Sequence, residues 1–156
     1  MEKHEAMNEI LNDLVKINND RIAGYERAIK ESKDLDIDLK AIFEEMIRQS
    51  TTYKEELTKY IQNDGGIVED DNTSSGKIYH AWMDIKATFT DSDRHSILAA
   101  CEFGEDAAQR AYEAALASDS LLDPEARKVV TEEQAALLKS HELIKKERSA
   151  HEVFQK

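Results

Sequence analysis

An all-α fold is predicted by this sequence: two similar helical hairpins assembled as a four-helix bundle, with a long crossover between them. Three observations carry the prediction. Apolar residues recur at helical spacing in four long stretches. Glycine and proline, which punctuate loops and strands, number only five and one in 156 residues. Hydrophobic residues make up 40% and charged residues 35%, the balance of long amphipathic helices. The length suits a single domain over residues 1–156 with a sizeable core.

The first helix is expected from about His4 to Glu31, with Met7, Leu11, Leu14, Tyr25 and Ala28 on one stripe. The second runs from about Ile37 to Gln62 and carries Phe43, Ile47, Leu57 and Ile61. The third, from about Asp93 to Ala117, carries Leu98, Cys101, Ala108, Tyr112 and Ala115. The last, from about Pro124 to His151, carries Val130, Leu137 and Ile144. Asp123-Pro124 is a start signal, because Asp caps free amides and Pro fits the first helical turn.

Only a few residues separate the first helix from the second and the third from the fourth, so each pair is expected to form an antiparallel hairpin. The connection between the second and third helices, about 63–92, is far longer. It contains Gly65-Gly66, the acidic run Glu69-Asp70-Asp71, and Ile78, Trp82, Ile85 and Phe89 at helical spacing. A short extra helix from about Ser75 to Thr88 is expected there. A helix of ~25 residues is about 38 Å long, and such a connection spans that length. The hairpins also look duplicated. A shift of 87 positions places Ile10-Leu11 on Ile97-Leu98, Tyr25-Glu26 on Tyr112-Glu113, and Ala28 on Ala115. The same shift places Leu35-Asp36 on Leu122-Asp123, Glu55 on Glu142, and Lys59 on Lys146.

Composition narrows the function. Asp and Glu number 33 against 21 Lys and Arg, a formal net charge of −12. That field repels phosphate backbones, and no basic stripe reverses it, so nucleic acid and anionic membranes are not expected partners. Cys101 is the only cysteine, which excludes an intramolecular disulfide and a Cys-rich metal cluster. The start, MEKHEAMNEI, lacks the apolar run of a signal peptide, and no stretch approaches a membrane span. A bacterial-type cytoplasmic setting is the resulting expectation.

With these elements in place, the chain resembles the ferritin and rubrerythrin superfamily, whose fold is two helical hairpins joined by a long crossover. It resembles more closely a bacterial family of ferritin-like four-helix-bundle proteins of unknown function. The matching features are Leu11-Asn12-Asp13-Leu14, Tyr25 before Ala28, Ala81-Trp82-Met83-Asp84-Ile85-Lys86, Glu102-Phe103-Gly104-Glu105-Asp106-Ala107 and Tyr112. In metal-binding members of the superfamily the first and third helices each supply a Glu, and the second and fourth each supply Glu-x-x-His. Residues three apart share a helix face, so this spacing aims carboxylates and imidazoles at a metal pair. The resemblance assigns those ligand positions to Asn18, Ser50, Tyr53, Glu105, Leu137 and Ser140. Only Glu105 is a metal ligand under that register, and the ordinary di-iron carboxylate site is missing.

Continuing the apolar stripes puts Asn18, Arg21, Glu105, Gln134 and His141 near the bundle interior, with Glu102 on the face of Glu105. One reading is a divergent site for a divalent metal (Fe, Mn or Zn) ligated by Glu102, Glu105 and His141, with Asn18 or Gln134 as weak oxygen donors. The other is a polar belt in which Arg21 neutralises Glu105 while Asn18, Gln134 and His141 satisfy hydrogen bonds. A cationic Arg21 at the presumed cation site favours the belt. Tyr25 and Tyr112 read as core residues with bonded hydroxyls, and Cys101 as a small buried hydrophobe. Ile78, Trp82, Ile85 and Phe89 either seal the bundle or form a surface for self-association. The functional expectation is a non-enzymatic interaction or assembly protein, with no cofactor. A homo-oligomer, in the simplest case a dimer, is expected, and a stress-related setting rests on the resemblance alone. The alternative is an oxidoreductase or iron-handling protein using Fe or Mn.

Overall fold

Each of the four periodic stretches folds as one continuous helix. The computed structural model describes residues 2–32, 36–69, 94–117 and 121–155. Its helices are α1 (Glu2–Glu31), α2 (Ile37–Asn63), α3 (Arg94–Ala117) and α4 (Pro124–Gln155). There is no strand among the described residues. The crossover helix expected over about Ser75–Thr88, with Ile78, Trp82, Ile85 and Phe89, lies outside them. The last helix runs four residues past its expected end at His151, because the sequence Glu152-Val153-Phe154-Gln155 holds neither Gly nor Pro to stop it. Among the described residues, no helix is long and apolar enough to cross a membrane.

The core forms where residues three and four apart line one side of each helix. Met7, Leu11 and Leu14 of α1 are buried, as are Phe43, Leu57 and Ile61 of α2. Leu98, Cys101, Ala108 and Tyr112 of α3 join them, with Val130, Leu137 and Ile144 of α4. Fully burying a Leu or Ile side chain contributes about 1.5–3 kcal/mol, so these stripes decide which faces meet. Helix α1 packs most extensively against α2, α3 packs against α4, and α1 also packs against α3; α2 and α4 touch little. Along α1 and α2 the partners run in opposite order. Asn12 bonds Ile67, Arg21 bonds Ser50, and the rings of Tyr25 and Phe43 stack with centroids 5.5 Å apart.

Local chemistry fixes the ends of the helices. Helix α2 stops at Gly65, whose φ of +80° is a left-handed conformation that glycine adopts without a Cβ penalty. The following backbone is clamped by Asn12, whose Nδ2 donates to the Ile67 carbonyl at 2.9 Å and whose Oδ1 accepts from the Glu69 amide at 2.8 Å. Helix α4 is capped by Asp123, which precedes it and whose Oδ1 accepts from the Ala126 amide at 2.8 Å. Tyr60 at the end of α2 donates to the same carboxylate, so one residue both caps α4 and ties it to α2. At the other end, Arg94 reaches Asp36 at 3.3 Å, Asp38 at 2.6 Å and Glu147 at 3.6 Å, joining α2, α3 and α4.

Candidate functional site

The polar interior divides into two clusters on successive turns. The first centres on Arg21, a fully buried side chain on α1. Its Nε donates to Glu105 Oε1 at 2.6 Å, and the terminal nitrogens donate to Ser50 Oγ at 2.7 Å, to the Met46 carbonyl at 3.3 Å and to Met46 Sδ at 3.3 Å. The Tyr25 hydroxyl donates to the same Glu105 oxygen at 2.7 Å, and the guanidinium lies 5.3 Å from the Tyr25 ring centroid. Burial opposes the charge on Arg21, but Glu105, together with Tyr25 and Tyr112, outweighs it and raises the pKa above its ordinary value. Burial, with Glu105 behind it, pushes the Tyr25 hydroxyl and the Cys101 thiol well above their usual ranges. Tyr25 therefore stays a hydrogen-bond donor, and Cys101 is a poor nucleophile. Glu105 Oε2 has no hydrogen-bond partner among the described residues.

The second cluster centres on Glu133 of α4, only 2% exposed. Asn18 Nδ2 donates to the Tyr112 hydroxyl at 2.9 Å, and that hydroxyl donates to Glu133 Oε1 at 2.8 Å. Burial of Glu133, against the lowering bond from Tyr112, pushes its carboxyl up to about 9, with further help from Glu56. Glu56, on the exposed side of α2, lies close enough to interact with the same carboxyl. Asn18 Oδ1 is buried and without a donor among the described residues, and Glu133 Oε2 has no partner there other than the Glu56 carboxyl that acts on the same group.

The structure brings Asn18, Arg21 and Glu105 into the interior, but it does not gather Glu102, Glu105 and His141. Glu102 pairs with Arg148 at 2.6 Å, Glu105 with Arg21, and His141 donates through Nε2 to Asp106 near the bundle edge. Gln134 is half-buried, and the inner position expected for it belongs to its neighbour Glu133. Glu133 lies three residues past Val130 and four before Leu137, both buried, so the stripe itself carried the signal. The one-residue difference arises because Thr131 to Gln134 are all polar, and hydropathy alone does not choose among them. Ser50 and Ser140 are buried, Leu137 is core, and Tyr53 is half-buried.

A metal pair does not fit the residues around Glu105. A guanidinium already contacts the carboxylate, and the Ser50 hydroxyl and Met46 carbonyl are turned to that guanidinium. Another cation beside it would meet direct repulsion. Among the described residues, no group of three or more His, Cys, Asp or Glu side chains could hold a metal ion.

The model of a family described as a domain of unknown function, DUF2383, matches residues 6–118, well over half of the chain. The chain belongs to the DUF2383 family. The matched span takes in α1, α2 and α3, and with them Asn18, Arg21, Tyr25, Ser50, Glu105 and Tyr112. Glu133 and the rest of α4 lie beyond it, so the DUF2383 match covers the Arg21 cluster in full and the Glu133 cluster in part. Comparison with curated proteins gives no match.

Proposed function

We propose that this DUF2383 chain is a ferritin-like bundle of two antiparallel hairpins joined by a crossover, acting by protein interaction or self-assembly rather than by catalysis. The observation that carries the reading is the buried Arg21–Glu105 ion pair, 2.6 Å apart. Under the register that the resemblance implies, Glu105 is a metal-ligand position, and here it is engaged by the protein's own cation. The opposite order of the α1–α2 contacts supports the hairpin topology. The self-association surface in this reading is the amphipathic sequence Ile78, Trp82, Ile85 and Phe89, proposed from its spacing alone.

Two measurements on the whole protein test it. Oxygen consumption on adding Fe(II) should stay at the buffer rate, and light scattering should give a mass above that of one chain. Trp82→Asp should lower that mass while circular dichroism stays unchanged. Catalysed Fe(II) oxidation, or a single-chain mass for the wild type, would overturn the reading. The Glu105 oxygen that lacks a donor favours the second reading, an iron- or manganese-binding oxidoreductase or iron-handling protein built on Glu102, Glu105 and His141. Stoichiometric iron retained through purification and lost in Glu105→Ala would put that reading first.

A further inference from the structure

We propose that copies of this chain dock head to tail, with Ile67 of one copy seated in the groove between α2 and α4 of the next. The inference rests on the self-assembly reading above, but it draws on two surfaces other than the Ile78–Phe89 stripe.

The projecting surface is a strap that follows α2. Ile67 is 84% exposed. A single exposed apolar side chain is ordinary on a protein surface, but the backbone that carries this one is fastened on both sides. Before it, the Gly66 amide donates to the Ile61 carbonyl at 2.8 Å. Gly66 also sits so close to α1 that a Cβ there would meet Asn8 Nδ2 at 2.5 Å. After it, Val68 packs against the core, and the Glu69 carboxylate reaches Lys16 at 3.5 Å. Asn12 holds the Ile67 carbonyl and the Glu69 amide together. An isoleucine presented on so fixed a backbone docks without the cost of ordering a loop.

The receiving surface is the seam where α2 and α4 touch little. Its groove of about 650 Å³ is lined by the apolar groups of Met46, Tyr53, Ala136 and Leu143, with room for an isoleucine and its neighbours. Leu143 is 38% exposed there. Charge distinguishes the two surfaces. Glu69 is exposed beside Ile67, as are Glu5 and Glu9, which lie seven and three residues before Asn12 and share its face of α1. In the groove, Arg48 is taken by Glu45 at 2.5 Å, whereas Lys139 forms no ion pair among the described residues. Two copies of a chain with net charge −12 repel each other overall. Contact is favoured where an unpaired cation beside an apolar groove meets an apolar group flanked by carboxylates, and the Ile67 strap has that composition. The strap is held on α1, away from the α2–α4 seam, so a chain does not fill its own groove. A contact between two different surfaces repeats from copy to copy, building a ring or an open chain.

The test follows the mass of the whole protein by light scattering and sedimentation velocity over a range of concentrations. The wild-type mass should rise above one chain with concentration. Ile67→Asp and Leu143→Asp should each weaken association by at least about tenfold, with circular dichroism unchanged. Lys139→Glu, at an exposed position, should weaken it too. Mixing is the decisive step, because Ile67→Asp keeps the groove and Leu143→Asp keeps the isoleucine. Together they should form a two-chain complex that neither forms alone; if Leu143→Asp does not fold, Lys139→Glu takes its place. Variants that stay single when mixed overturn the proposal. Association unchanged by Ile67→Asp also overturns it and leaves self-assembly to another surface, and loss in Leu143→Asp alone assigns the groove a different occupant. A single-chain mass for the wild type at every concentration removes the self-assembly reading and this inference together.

Discussion

Arg21 and Glu105 carry opposite charges where neither side chain is reached by water, and the surrounding donors and acceptors make that arrangement tolerable. Breaking such a pair leaves one buried charge uncompensated, which costs about 3–5 kcal/mol. Arg21→Met and Glu105→Leu are each predicted to destabilise by that amount in urea denaturation, whereas the double variant should recover most of the loss. Single losses no larger than those of surface substitutions would show that water reaches the pair. Both residues were legible from the apolar stripes, since i+3 and i+4 steps lead directly to them. Glu133 stands at the same spacing between Val130 and Leu137, but its run of four polar residues let the inner position be read one residue late, at Gln134, and its consequence for stability differs in sign. Its carboxyl keeps a proton to about 9 when folded, against 4.5 for the ordinary group. Between those values the unfolded chain binds fewer protons, so stability is fully present below about pH 4.5 and is lost as pH rises towards 9. At pH 7 the loss is about 3 kcal/mol, at 1.36 kcal/mol for each unit of difference. Glu133→Gln should therefore match the wild type near pH 4 and exceed it by about 3 kcal/mol at pH 7. A stability difference independent of pH would mean that the carboxyl is ionised in the folded protein.

At the scale of the elements, what the sequence made readable was where helices begin and which face is apolar. Asp123-Pro124 announced the start of α4, and the Asp123 side chain does cap the Ala126 amide. Its second partner, Tyr60, was not readable, because a tie between residues 63 positions apart depends on how α2 packs, not on local spacing. The same limit applies to Arg94, which gathers Asp36, Asp38 and Glu147 from two other helices. The double use of Asp123 gives a prediction that separates the two roles. Asp123→Ala removes the cap and the acceptor for Tyr60, and should cost more than the ~1 kcal/mol of a lost cap alone. Asp123→Asn keeps an oxygen for both and should recover most of that loss, while Tyr60→Phe should lose only the tie. Equal stability of Asp123→Ala and Asp123→Asn in urea denaturation would show that neither bond is formed in solution.

The whole molecule is organised by the 87-residue shift, which relates Asn18 to Glu105, Tyr25 to Tyr112 and Met46 to Glu133. The hydrogen bonds cross between the halves: Tyr25 donates to Glu105, and Tyr112 accepts from Asn18. Sequence comparison revealed the repeated tyrosines but not these crossed bonds, because a shift aligns residues within equivalent helices and says nothing of which helices face each other. The repeat is broken where Arg21 meets Ala108, so the two polar clusters differ in charge and only one holds an internal cation. Packing is also unequal. Helices α1 and α3 each have two packed neighbours, whereas α2 and α4 touch little and leave a groove of about 650 Å³ lined by Met46, Gln49, Tyr53, Ala136, Ser140 and Leu143. A bond from Ser140 Oγ to Gln49 Oε1 at 2.9 Å bridges that groove. Openings that separate α2 from α4 disrupt less buried surface than openings that separate α1 from α3, and regions with fewer packed neighbours open at lower free energy. Native-state hydrogen exchange should therefore show the slowest amides in the middle of α1 and α3, exchanging only on global unfolding. Amides of α2 and α4 beside the groove, around Gln49 and Ala136, should exchange earlier and with a weaker denaturant dependence. Equal protection and equal denaturant dependence across all four helices would instead show that the α2–α4 seam opens only when the whole bundle unfolds.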